Sequence, residues 1–438
     1  MISGGLKIKM PKSSKLHHTS NSVIYHASQS MPHTTSGYAI RTHGLLSSLE
    51  KQDVNIRAIL RYGYPLDRSD FGKNSVDLIE EIDNVKYYFT HSERKQKTLI
   101  NYQEVYNFNS IEKYFRRSIS SLINYSSQFN PSVIHSASNF VVGMAGAKAA
   151  KALGIKSIYE IRGFWHLTQS TKRVGYEKSD HYNLSERLEI ETAKMSDHVF
   201  TITSALRDIL IQEGVNEDKI SVLPNAVDPE KFTIKQKDKN LEKQLDFKDK
   251  VVIGYIGSFV KYEGLDILLE ACSLLHNKIG DMFRLLLVGD GDTMTALRDA
   301  TRLLQLEDVV TFTGRVNHDE VSKYYSLIDI APLPRKGLRV CELVSPLKPF
   351  EAMASGKVLV ASSVKALAEI IEDGETGLVF EKDNPKDLAN KLESVILDKS
   401  LRDTIGKNAR KWVVENHSWD LVSKKVIQVY EKLAEEQI

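Results

Sequence analysis

The sequence predicts an α/β protein of two doubly wound, Rossmann-like domains. Three observations carry this. Short aliphatic or β-branched runs alternate with amphipathic stretches of helical length, the pattern of a parallel sheet covered on both faces. The alternation breaks once near mid-chain and then restarts. The 438 residues, 42% hydrophobic and 26% charged, suffice for two separate cores at roughly 100–200 residues per domain.

The first series begins near Ser22. Apolar runs place strands at 23–27, 54–60, 133–136, 157–160, 198–201 and 221–223. Helical periodicity fills 38–49, 140–153, 184–195 and 205–212. The stretch 67–129 interrupts the rhythm and is read as a peripheral hairpin with helices. Leu223-Pro224-Asn225-Ala226 closes the series, and 231–250, dense in Lys, Asp and Gln, suits a surface linker. The second series has strands at 251–256, 284–288, 309–313, 328–331, 358–361 and 377–380. Its helices fall at 265–275, 293–304, 319–327, 346–354 and 366–372. The tail 384–436 reads as consecutive helices. The expected domains are thus 22–226 and 227–417, with a last helix at about 418–438 packing back on the first. Residues 1–21, carrying Lys7, Lys9, Lys12 and Lys15, are read as a flexible basic arm. Ligands of open α/β sheets bind beyond the C-terminal strand ends, so facing domains would hold the site in a cleft.

Composition narrows the function. Lys plus Arg number 59 against 57 acids, a net +2 that gives no case for a nucleic-acid partner. Residues 1–226 hold 28 basic and 22 acidic residues, and the remainder 31 and 35, so the first half favours an anionic partner. Two cysteines, Cys272 and Cys341, allow neither a disulfide framework nor a cysteine-rich metal site, and fit a reducing compartment. No window approaches the 18 or more apolar residues of a spanning helix. The expectation is a cytoplasmic protein that at most rests on the inner face of a membrane.

The strongest constellation is Ser345-Pro346-Leu347-Lys348-Pro349-Phe350-Glu351-Ala352-Met353-Ala354-Ser355-Gly356. Ser followed by Pro is a good N-cap and N1 pair, and Gly356 a suitable stop. A helix beginning near Pro346 offers its free N–H groups, around Ser345 and Leu347, to an anion. Lys348 in the first turn opposes the helix dipole. Either a bound phosphate restores the balance, or Lys348 pairs with Glu351 three residues on. The phosphate reading expects Lys348→Ala to leave the unliganded fold as stable or more so. Glu351 is placed to take both hydroxyls of a ribose. Gly37, in Thr35-Ser36-Gly37-Tyr38, either lets backbone N–H groups approach a phosphate or sugar, or follows Ser36 as helix cap in a plain turn. Trp165-His166 suits stacking on a sugar and a hydrogen bond to a hydroxyl, against a purely structural histidine. His33 and His135 at strand ends face the same choice. Asp290-Gly291-Asp292 spells a metal-clamping Asp-x-Asp, although Gly289 and Gly291 fit better as a close approach to a nucleotide; no metal is expected.

In combination the sequence resembles the retaining glycosyltransferases of family 4, which have the GT-B fold, over nearly the whole chain. The matching pieces are Ser36-Gly37-Tyr38 with Arg41-Thr42-His43-Gly44; Tyr159-Glu160-Ile161-Arg162-Gly163-Phe164-Trp165-His166; Val222-Leu223-Pro224-Asn225-Ala226-Val227-Asp228; Gly254-Tyr255-Ile256-Gly257-Ser258; Leu287-Val288-Gly289-Asp290-Gly291; and Glu351-Ala352-Met353-Ala354 with Gly374-Glu375-Thr376-Gly377-Leu378. The wording Ser345-Pro346-Leu347-Lys348-Pro349 looks most like a bacterial surface-polysaccharide subgroup. The resemblance implies that Glu351 is the second carboxylate of a Glu-x7-Glu motif and binds the donor ribose. The first would stand at Leu343, with Glu342 one place early. Family members place Arg and Lys where this chain has Ser258 and Glu263, so the charge for a diphosphate is expected from Lys261, Arg335, Arg339 and Lys348. By the same resemblance His166, Lys348 and Glu351 carry catalysis. Gly37, Ser258, Lys261, Gly291, Arg315, Arg339, Ser345 and Leu347 line the donor site with Lys348 and Glu351, while Tyr38, Arg162 and Trp165 touch the acceptor or sugar.

The expected activity is that of a retaining, metal-independent glycosyltransferase without a cofactor. It would take a nucleotide-diphosphate-sugar as co-substrate and a glycan or lipid-linked acceptor. Two alternatives share the architecture: a nucleotide-sugar 2-epimerase, and a nucleotide-sugar-binding protein with a degenerate site.

Overall fold

The computed structural model describes residues 22–91, 108–317 and 320–436. The arm expected at 1–21 and part of the stretch 67–129 lie outside the described residues. The chain divides into two units, one running to Pro224 and resuming at Trp419, the other spanning Asn225–Ser418.

The first unit is built on eight strands: β1 (Ser22–Ala27), β2 (Asn55–Leu60), β3 (Ile79–Ile82), β4 (Val85–Tyr88), β5 (Val133–Ala137), β6 (Lys156–Ile161), β7 (His198–Thr201) and β8 (Ile220–Val222). Their order is β3-β4-β2-β1-β5-β6-β7-β8, and every pairing is parallel except β3 with β4. Both β1 and β5 are buried throughout, which is why they read as unbroken apolar runs. The helices are α1 (Gly37–Lys51), α2 (Phe108–Phe129), α3 (Phe140–Leu153), α4 (Trp165–Ser170), α5 (Asp180–Met195) and α6 (Ser204–Gln212). Ser36, Asn139 and Thr203 cap α1, α3 and α6 with side-chain oxygens that accept backbone N–H groups. The hairpin expected in 67–129 forms the outer edge of the sheet, whereas the helix is not peripheral. Asp83 and Asn84, both at positive φ, turn β3 into β4, and β4 extends the sheet beside β2. Helix α2 contributes Tyr114, Phe115, Ile119 and Leu122 to a core shared with α3. Its polar outer face hides that role in the sequence.

The second unit has six parallel strands: β9 (Val251–Ile256), β10 (Phe283–Val288), β11 (Val310–Gly314), β12 (Ile330–Leu333), β13 (Val358–Ser362) and β14 (Leu378–Phe380). Their order is β11-β10-β9-β12-β13-β14. Around them lie α7 (Lys239–Gln244), α8 (Leu265–Ile279), α9 (Met294–Leu303), α10 (Val321–Leu327), α11 (Arg339–Leu343), α12 (Lys348–Ala354), α13 (Lys365–Ala368), α14 (Pro385–Leu397) and α15 (Lys399–Asn416). The stretch 231–250 is no linker. Phe232, Leu241, Leu245 and the buried Phe247 pack with Val252, Leu286 and Tyr325, so a few well-spaced apolar residues outweigh the surrounding charges.

The last helix, α16 (Trp419–Glu435), belongs to the first unit. Ser48 of α1 donates to Asp420 (2.7 Å), and Tyr430 meets His135 Nδ1 of β5 (2.8 Å). His135 in turn lies 3.4 Å from Glu160, a fully buried carboxylate on β6. Glu160 accepts from Arg41 Nε (2.8 Å), Arg162 Nε (2.9 Å) and the Tyr25 hydroxyl (2.5 Å). Burial pushes the Glu160 carboxyl up, but Arg162 and Arg41 more than offset it and hold it well below the usual carboxylate range.

A second buried carboxylate behaves in the opposite way. Glu189 of α5 accepts from the Phe140 N–H (3.2 Å) and from the Tyr159 hydroxyl. Burial raises its pKa to about 7, and the two hydrogen bonds oppose this only in part. The folded state therefore holds the proton across a range where the unfolded chain has lost it. The stability this confers is present at low pH and is lost as pH rises towards about 7. Glu189→Gln, which can keep both hydrogen bonds, should raise the melting temperature over the parent at pH 8 and leave it unchanged at pH 5. Melting curves at the two pH values check this, and an equal shift at both would contradict it.

Candidate functional site

In the second unit the strand order reverses between β9 and β12. The loops that follow these strands therefore open a crevice at the C-terminal edge of the sheet. Two opposite charges meet there. Glu263 ends the short 3-10 turn Lys261–Glu263 after β9, and Arg335 follows β12; both are buried. Arg335 Nε lies 3.6 Å from Glu263 Oε1. Lys348, the first residue of α12, brings Nζ to 3.0 Å from Glu263 Oε2. The same ammonium sits over the Tyr255 ring, 4.8 Å from its centroid. The lysine reaches this position by crossing the backbone of Gly257, where φ is 152° and a Cβ would lie 2.3 Å from Lys348 Cε. Ring, glycine backbone and carboxylate together fix the lysine. Burial pushes the Glu263 carboxyl up, and Lys348 and Arg335 overcome this and hold it below its ordinary value. The triad keeps one positive charge.

One turn further along α12, Glu351 Oε2 lies 3.4 Å from the Tyr325 hydroxyl. Burial raises this carboxyl to about 7, against the pull of Lys348 and Tyr325. Near neutral pH it is therefore able both to donate and to accept, as recognition of paired hydroxyls requires. The helix is anchored at both ends. Asn225 Nδ2 donates to the Ser345 carbonyl (2.7 Å), and the His417 ring lies on Phe350 with centroids 4.8 Å apart. Arg410 donates to the carbonyls of Ala354 and Phe232. Sequence reasoning singled out none of Asn225, His417, Arg410, Tyr255 or Tyr325 for these roles. Their signals are the place of Asn225 in the turn that closes the first series and of Tyr255 in Gly254-Tyr255-Ile256-Gly257-Ser258.

Several expectations change. Helix α12 starts two residues later than Pro346, with Leu347 at its N-cap and Pro349 in its first turn. Ser345 does not cap it but is buried against Asn225. Lys348 pairs with Glu263 and not with Glu351, because Gly257 leaves room for the side chain to cross. Leu343 is buried, and Glu342 is committed elsewhere: it accepts the Lys365 N–H at the start of α13 (2.8 Å) and pairs with Lys382 (2.6 Å). Ser258 and Lys261 are exposed on the loop after β9, and Arg339 is exposed at the first position of α11. Arg315 is exposed, with Nε 4.0 Å from Asp290. Gly291 serves a contact between loops, since a Cβ there would lie 2.3 Å from the Phe259 carbonyl oxygen.

The first unit departs further from expectation. Gly37 opens α1 behind the Ser36 cap, which is the plain-turn alternative. The Tyr38 hydroxyl is committed to the Ser28 N–H (2.9 Å) and the Ala137 carbonyl (3.1 Å). Arg162 is not a sugar contact: it is buried and donates to Glu160, Tyr25, Thr42 and the Tyr38 carbonyl. Trp165 is half-buried, edge-on to His181. His166 is fully buried, stacked on Phe164 and edge-on to Tyr182, with Nε2 3.6 Å from Glu186. This enclosure fits the structural alternative for His166. His33 pairs with Glu80 at 3.0 Å.

Comparison with known proteins agrees with this architecture. Residues 236–412 match the family model Glycosyl transferases group 1, and residues 87–231 match Glycosyltransferase Family 4. An uncharacterized glycosyltransferase of Methanocaldococcus jannaschii is 29% identical over 61% of this chain and 67% of its own length. The capsular polysaccharide biosynthesis glycosyltransferase CapM of Staphylococcus aureus is 26% identical over 54% of this chain and 62% of its own. The chain thus spans about three-fifths to two-thirds of these relatives. Among solved structures, sucrose-phosphate synthase from Thermosynechococcus elongatus superposes with a TM-score of 0.73 at 18% identity, covering 94% of this chain and 98% of that one. Anabaena HepE in complex with UDP gives 0.69 at 16% identity, covering 94% and 100%.

The ion pair reverses the expectation for Lys348→Ala. Removing one partner of a fully buried pair costs about 3–5 kcal/mol. The Lys348 side chain is 19% exposed, so a loss of roughly 1–3 kcal/mol is expected in the unliganded protein. Urea unfolding measures it, and a midpoint at or above that of the parent would show that Glu263 does not need the lysine.

Proposed function

We propose that this chain, a GT-B protein carrying a family 4 domain followed by a group 1 glycosyltransferase domain, is a retaining glycosyltransferase. It would transfer a sugar from a nucleotide-diphosphate-sugar to a glycan or lipid-linked acceptor, in surface polysaccharide or glycoconjugate synthesis. The observation that carries this is Lys348, held at the switch-point crevice one turn before Glu351. In this reading Lys348 meets the diphosphate, the buried Arg335 adds positive charge behind it, and Glu351 takes the ribose hydroxyls. The relatives support the class: CapM is named for capsular polysaccharide biosynthesis, and HepE has been solved with UDP-glucose.

Retention follows from a front-face path. The bond from the anomeric carbon to the phosphate oxygen breaks while the acceptor oxygen bonds on the same face. The acceptor's proton passes to the departing phosphate, which serves as the base. The protein then has to position the donor and stabilise charge growing on the leaving group, work suited to fixed cations. The first unit, with its basic excess, would receive the acceptor, and a lipid-linked acceptor would bring the protein to the inner face of a membrane. No helix among the described residues is long and apolar enough to cross one.

Lys348→Ala removes a charge-assisted contact worth about 1.5–3 kcal/mol and should weaken binding of the nucleoside diphosphate roughly 10- to 150-fold. Calorimetry checks this, preceded by a thermal-shift screen of nucleotide sugars to find the base. Equal affinity in both proteins would remove the phosphate from Lys348. Turnover of a donor with no acceptor present would instead indicate a 2-epimerase, and binding without any turnover a degenerate site.

Turnover should also persist in chelator, because lysine and arginine supply the positive charge. Activity abolished by EDTA and restored by manganese would move Asp290 and Asp292 into the site.

A further inference from the structure

We propose that Glu263 is a built-in counter-anion that competes with the ligand's phosphates for Lys348 and so sets how tightly the crevice holds them. The inference rests on the proposed donor reading.

The geometry gives Glu263 no other place to go. It is 3% exposed and its carboxylate lies between Arg335 and Lys348. Its N–H donates to the Val260 carbonyl (3.0 Å), closing the turn. The next residue, Gly264, has φ 71°, and a Cβ there would lie 1.8 Å from the Pro334 carbonyl oxygen. The turn is therefore packed against the loop after β12, which keeps its carboxylate enclosed between the two cations. Lys348 is the member of the triad that reaches solvent. A phosphate approaching that exposed side meets one net positive charge where two cations alone would offer two. Glu263 attracts the ammonium, holds it in place, and repels the incoming charge. Its effect on affinity and its effect on stability are opposite in sign.

That opposition separates this role from a merely structural one. Glu263→Gln keeps the shape but removes the charge. The unliganded variant should melt lower than the parent, since two buried cations lose their counter-ion. Its affinity for UDP, GDP or ADP, whichever the parent binds, should rise about 10- to 100-fold, the Coulomb scale for charges ~6 Å apart at an effective dielectric of ~20. Inorganic pyrophosphate should tighten by a similar factor, while the free nucleoside should not change. Glu263→Asp draws the carboxylate back from Lys348 by one methylene and keeps its charge. It guards against a misfolded Gln variant, and should tighten the diphosphate about twofold to fivefold. Calorimetry on the full chain reads all of these. Unchanged or weaker diphosphate affinity in a folded variant overturns the counter-anion while leaving the donor reading intact. A parent protein that binds none of the three diphosphates overturns both.

Discussion

The first unit depends on a charge that has no water to solvate it. Glu160 is enclosed on β6, and an ionised carboxylate is tolerable there only because two guanidinium groups and a tyrosine hydroxyl surround it. Those partners hold more than the charge. Arg41 also donates to the carbonyls of Leu223 and Pro224, the last residues before the chain leaves the unit. His135 passes the contact on to Tyr430 of α16, by which the chain returns. Tyr25 brings in β1 and Arg162 brings in Thr42 of α1. Departure, return and the central strands thus meet at one carboxylate. A change at any of its partners is felt at all of them.

The second unit applies the same chemistry to a different end. Glu263 again sits between two cations at the C-terminal edge of a parallel sheet. The difference is enclosure. Every N–H of Arg162 has a partner inside the protein, so its charge is consumed by the fold. Lys348 is partly exposed. Two cations that look alike in the sequence, each beside a strand end or helix start, therefore have different fates. One belongs to the architecture and the other faces solvent at a place where a ligand can reach it.

This contrast also marks what could be read from the sequence. Strand β9 spans the expected 251–256, and α3 the expected 140–153, because Asn139 and Gly154 punctuate the latter at both ends. Strand β12 lies two residues beyond the expected 328–331, since Pro332 argues against a strand that nonetheless pairs with β13 through Leu333. In 231–250 the charges outnumber the few apolar residues that pack, which hides its place in the core, and the polar face of α2 does the same. At the site, Lys348 and Glu351 were legible as neighbours on one helix. The partner of Lys348 was not. Glu263 stands far away in sequence, and only the crossover that places β12 beside β9 brings its turn to the helix. A charge of the wrong sign at 263 and an extra lysine at 348 were both visible as anomalies. That each answers the other is a fact of topology, not of spacing.

The pairing bears on how such a site can serve transfer as well as binding. Two free cations at the crevice would hold a diphosphate strongly before and after reaction alike, and binding that does not distinguish those states from the transition state does not speed the chemistry. A lysine already fixed by Glu263, Tyr255 and Gly257 has little freedom left to lose when charge grows on a leaving group nearby. The fixed carboxylate meanwhile keeps the resting attraction low, which favours departure of the spent nucleotide, a step that limits many enzymes. Glu351, close to its titration point at neutral pH, can adjust its proton to the hydroxyls it meets without adding a full negative charge beside the phosphates. On the proposed reading, the crevice is therefore organised for exchange of its ligand and not for its retention.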